Sequence, residues 1–122
     1  MNIYKYGFPI LLAITSSMTN AQSMSDAELD KLLAEKFNIS TFYNEEAIKL
    51  INLDNPESTD FNRVIQNFCK SNKALAEVKM IALQYPQVPR EIYDKANVNY
   101  ESGIKNINLL REMSPNKIEC NE

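Results

Sequence analysis

One long apolar period constrains this chain more than any other feature. Across residues 58–85, Phe61, Val64, Ile65, Phe68, Cys69, Leu75, Val78, Ile81, Ala82 and Tyr85 recur at close to the three-and-four spacing of an amphipathic helix. A helix with so long an apolar face must be covered by other elements. It also carries one of only two cysteines in 122 residues. The sequence is therefore read as a central helix and whatever packs against it.

The N-terminus shortens what is left to pack. Residues 1–21 place a single cation, Lys5, before an apolar core from Phe8 to Ile14. A small, polar stretch follows, with Thr19 and Ala21 where a signal peptidase takes small side chains. This predicts a signal peptide cleaved after Ala21, because the apolar run is far shorter than the roughly 20 residues of a membrane span. No cysteine lies near the cut, so neither a lipid anchor nor any stable membrane anchor is expected. Residues 22–122 then form a single helical domain, periplasmic or secreted, with 12 basic residues against 16 acidic and a net charge of −4. The charges are dispersed. A nucleic-acid partner requires a basic face, and none is apparent in the sequence.

Four helices are expected. Ser25, Asp26, Ala27 and Glu28 match the S-x-x-E capping box, and Leu29, Leu32, Leu33 and Phe37 continue it as one stripe over residues 26–37. Asn38, Ile39, Ser40 and Thr41 read as a polar break. Asn38-Ile39-Ser40 is formally a glycosylation acceptor, a three-residue match that arises often by chance. A second, shorter helix from residue 44 holds Ala47, Ile48, Leu50, Ile51 and Leu53, apolar nearly all round, which fits burial, a partner surface or self-association as a homodimer. Pro56 closes that helix, and either Asn55 or Ser58 caps the central one. The Pro86-Gln87-Val88-Pro89 stretch ends the central helix as a stiff connection. The last helix, residues 90–113, aligns Tyr93, Ala96, Tyr100, Ile104, Ile107 and Leu110, with Glu91–Lys95 and Glu101–Lys105 as i,i+4 pairs. Gly103 weakens its middle by about 1 kcal/mol relative to alanine, so a close helix crossing is expected there. The fold class is thus an all-α bundle of about four helices.

Two cysteines in an exported chain pair. Cys69 and Cys120 are 51 positions apart, and closing such a loop stabilises by on the order of 4 kcal/mol in the chain-entropy model. Cys69 lies 17 residues before Pro86, about 25 Å along a helix. An antiparallel last helix passes its level near Asn106 and ends roughly 12 Å further on. At about 3.3 Å per residue the tail reaches back over that distance, so the disulfide ties the C-terminal tail to the central helix.

Most catalytic chemistry is excluded by residue type. The chain has no histidine, which removes Ser–His–Asp and Cys–His arrangements and the commonest zinc ligand. Two glycines cannot build a phosphate-cradling loop, and no D-x-D-x-D-G calcium loop occurs. No cofactor or metal is expected. Carboxylates remain: Glu91, Asp94 and Glu101 share one side of the last helix, but a hydrolase needs facing carboxyls about 5–10 Å apart in a cleft. Solvated faces account for them more simply, and no enzyme activity is expected.

The other candidate is a surface. Tyr85, Pro86, Gln87, Val88, Pro89 and Tyr93 cluster at one end of the helical hairpin, aromatic side chains on a stiff turn that loses little entropy on association. The bland alternative is that the tyrosines close the end of the core. The leading expectation is a non-catalytic exported protein that binds another protein through a rigid helical surface, as an inhibitor or immunity-type protein does. The alternative is an assembly factor or chaperone for envelope or secretion components. Pilotins of secretion systems are similar in size, helicity and cysteine separation, although the lipid-attachment cysteine is missing here.

Overall fold

A computed structural model describes residues 24–121. The expected signal peptide, residues 1–21, lies outside the described residues. By its internal contacts the chain divides into two units, Met1–Asp30 and Lys31–Glu122.

The described part of the first unit holds the start of α1 (Asp26–Leu50). The capping box forms as expected: the Glu28 N–H donates to Ser25 Oγ at 3.1 Å, and the Ser25 N–H donates to Glu28 Oε1 at 2.9 Å. These bonds, the one from the Ser25 backbone first, hold the Glu28 carboxyl below the ordinary glutamate value.

The second unit contains the rest of α1, then α2 (Phe61–Gln84) and α3 (Arg90–Met113), with no strand among the described residues. The described residues are all-helical, as expected, but with three α-helices instead of four. The two helices anticipated on either side of residues 38–41 are one. Ser40 is the reason. It is buried against α2, where Ser71 Oγ donates to the Ser40 carbonyl at 2.8 Å. A hydroxyl has one proton, so Ser40 Oγ is the donor in the 2.8 Å contact between the two hydroxyls. The break-forming tendency of residues 38–41 is local, and this tertiary pair overrides it.

The other boundaries follow from similar details. Pro56–Ser58 forms a separate 3₁₀ turn after Asn55, and Asp60 rather than Asn55 or Ser58 caps α2, its side chain accepting from the Arg63 N–H at 3.2 Å. Tyr85 and Val88 close the next turn by a 3.0 Å backbone bond, with Pro86 fixing the following dihedral. α3 keeps the expected bounds.

Residue pairs give the topology. Lys36 meets Glu77 and Ser40 meets Ser71, so α1 and α2 are antiparallel. Asn72 meets Tyr100 near Gly103, and Cys69 and Phe68 cluster with Ile107 and Leu110, so α3 runs back along α2. The core has two apolar ends. One joins Ala47, Val64, Ile65, Phe68, Cys69, Ile107 and Leu110. The other joins Leu33, Leu75, Val78 and Ala96. Between them in the sequence register lies a polar layer of Ser40, Ser71 and Asn72, all buried. Gly103 makes room for it: a Cβ there would stand 2.7 Å from Asn72 Cγ and 2.8 Å from Nδ2. Asn72 uses that space to donate to the Tyr100 carbonyl at 3.1 Å. The expected close crossing at Gly103 is present.

Cys69 and Cys120 form the disulfide, Cα to Cα 5.7 Å. The tail is held by more than sulfur. The Gln66 carboxamide donates to the Glu119 carbonyl and accepts from the Asn121 N–H, each at 2.8 Å. Arg111 Nε donates to the Ile118 carbonyl at 2.7 Å, and Ile118 packs on the core.

Candidate functional site

The turn between α2 and α3 brings together most of the residues expected to bind a partner. Pro86, Gln87, Val88, Pro89 and Tyr93 line an open concavity of about 410 Å³ with Ala82, Leu83 and Arg90. Rigid elements frame it on both sides, α2 ending at Gln84 and α3 beginning at Arg90. Val88 anchors the turn by packing on the Leu33, Leu75, Val78 and Ala96 cluster, which leaves Pro86, Gln87 and Pro89 facing solvent.

Tyr85 does not join them. It is 8 % exposed, and burial pushes its phenol above the ordinary tyrosine value. Its side chain closes the core end, while Tyr93 stays half-exposed in the concavity. The two tyrosines therefore divide between the core and surface readings. Leu83 takes the place Tyr85 was given: it is 70 % exposed at the concavity wall. The signal for it was present, since Leu83 lies off the buried stripe of the central helix.

Cations decorate these rings. The Arg90 guanidinium lies 5.0 Å from the Tyr93 centroid and donates to Asp94 at 3.0 Å. Lys79 Nζ stands 4.4 Å from the Tyr100 centroid and 5.8 Å from that of Tyr93. A second concavity, about 290 Å³, continues along the same two helices beside the disulfide. Its walls include Lys73, Ala76, Tyr100, Ile104 and Arg111, with Cys69 and Cys120 at its edge.

The carboxylates of α3 sit elsewhere. Glu91, Asp94 and Glu101 are all exposed, and Asp94 is tied to Arg90. Among the described residues the Glu91–Lys95 and Glu101–Lys105 pairs do not close; Lys95 lies instead over the Phe37 ring at 5.1 Å. Among the described residues no three Cys, Asp or Glu side chains gather to hold a metal, and no helix is long and apolar enough to cross a membrane. The apolar second half of α1 is only partly buried: Ala47 is inside, whereas Ile48 is exposed and Leu53 lies beyond the helix at 86 % exposure.

Comparison with protein-family models, with curated protein sequences and with solved structures finds no match.

Proposed function

We propose that this chain is a non-catalytic, exported protein-binding protein that docks a rigid helical surface on one partner, as inhibitors and immunity-type proteins do. The observation that carries the reading is the end of the α2–α3 hairpin. There Leu83, Pro86, Pro89 and Tyr93 present apolar and aromatic area around an open concavity on two preformed helices. Such a surface is ordered before it binds, so association forfeits little side-chain and loop entropy. Aromatic and large apolar anchors framed by polar neighbours are the composition of interface centres. The disulfide adds to the same end, since a cross-linked tail stiffens the hairpin and fits an oxidising compartment.

The test is capture from the envelope fraction of the host by the tagged full chain. One stoichiometric partner is expected, and Leu83→Asp or Tyr93→Ala should weaken its capture by about tenfold or more, the scale of an interface anchor. A chain that captures nothing, or a partner indifferent to both substitutions, overturns the reading.

A further inference from the structure

We propose that the seam between α2 and α3 receives an acidic amphipathic helix of the partner, which rests on the docking reading above and specifies the chemistry it meets. Cys69, Lys73, Ala76, Met80 and Leu83 recur by threes and fours and form one ridge of α2. Tyr93, Tyr100, Ile104 and Arg111 form the facing ridge of α3. The two concavities lie along the furrow between these ridges, one lined by Tyr100 and the other by Tyr93, and Lys79 reaches both of those rings. From Cys69 to Leu83 the furrow is about 21 Å long, the length of a helix of about 14 residues.

Its charge selects the occupant. Of the cations of α2, Lys73 lines the concavity beside the disulfide and Lys79 reaches Tyr93 and Tyr100 of α3, whereas Lys70 lies over Tyr43 of α1. Glu77 turns away to Lys36 of α1 at 2.8 Å. Arg90 and Arg111 are already paired, with Asp94 and Glu119. Among the described residues no carboxylate pairs with Lys73 or Lys79. The furrow therefore offers two unneutralised ammonium groups beside apolar walls, Ala76 and Ile104 in one concavity and Leu83 in the other. A helix with Leu-type residues every three or four positions packs against those walls, and its flanking Glu or Asp side chains meet the lysines.

The probes are two synthetic peptides of about 16 residues, a little over the furrow length. Both carry leucine at i, i+3, i+4 and i+7, one with glutamate and the other with lysine at the remaining positions. The full, disulfide-intact chain is titrated into each and followed by fluorescence anisotropy. The glutamate peptide is expected to bind, with affinity falling about tenfold from low to physiological salt as the lysines are screened. Lys73→Glu with Lys79→Glu should remove the binding, and Lys73→Gln with Lys79→Gln should weaken it less, with far-UV circular dichroism unchanged in both. Equal binding of the two peptides, binding of neither, or preference for phosphatidylglycerol vesicles over the glutamate peptide overturns the inference. A natural partner captured equally by wild type and Lys73→Glu/Lys79→Glu, yet lost with Leu83→Asp, overturns it while leaving the docking reading standing.

Discussion

Gly103 and Asn72 depend on each other, and their pairing separates helix propensity from packing. Alanine at 103 favours the helix by about 1 kcal/mol. Its Cβ, however, must displace a buried carboxamide that bonds the Tyr100 carbonyl, and an unsatisfied buried amide costs about 1–3 kcal/mol. Gly103→Ala should therefore lower stability in urea unfolding, and adding Asn72→Ala should recover part of the loss, a coupling readable in a double-mutant cycle. Glu28 gives a pH prediction at the same scale. Its folded pKa is depressed by the Ser25 bonds, so the contribution of the capping box is present above the ordinary glutamate range and is lost as pH falls through the folded value. An NMR titration should place its midpoint below that of a free glutamate side chain, and Ser25→Ala should bring it back.

α1 shows what a helix takes from its neighbours. Its second half carries few signals of its own: Asn38, Ser40 and Thr41 are poor helix formers, and its apolar residues do not make one stripe. What keeps the helix going is the Ser40–Ser71 pair at 2.8 Å and the burial of Ala47 in the core. Ser71→Ala removes the donor to the Ser40 carbonyl and the acceptor of the Ser40 hydroxyl. It should cost about 1–3 kcal/mol, and Ser40→Ala in the same chain should return part of this, because no buried hydroxyl is then left unpaired. α2 and α3 contrast with this. Their apolar periods are long, proline marks the turn between them, and the sequence-derived bounds of α3 coincide with the observed ones, although the cap of α2 falls on Asp60 and not on Asn55 or Ser58. Nothing in a local window reported that residue 40 faces residue 71, so the four-helix expectation failed at that point.

For the molecule as a whole, the cross-link and the tail clamp act together. Cys69→Ser with Cys120→Ser should lower the urea-unfolding free energy by on the order of 4 kcal/mol in the chain-entropy model. Far-UV helicity at neutral pH should persist, because Gln66, Arg111 and Ile118 hold the tail without sulfur. A large loss of helix in that double variant would instead make the disulfide a condition of folding. The sequence by itself determined the helical class, the turn at Pro86–Pro89 and the pairing of Cys69 with Cys120. Each rests on spacing along the chain or on residue type, which a sequence records directly. It equally determined which chemistries lack their residues, through the missing histidine and the scarcity of glycine. Only the tertiary structure decided that α1 is continuous, that Tyr85 turns inward while Leu83 turns out, and that Lys79 reaches two tyrosines on another helix. The α1 and Lys79 contacts join residues 14 to 31 positions apart in different helices. Side-chain direction there is set by which neighbour offers a hydrogen bond or an apolar wall, and that information exists only once the helices have packed.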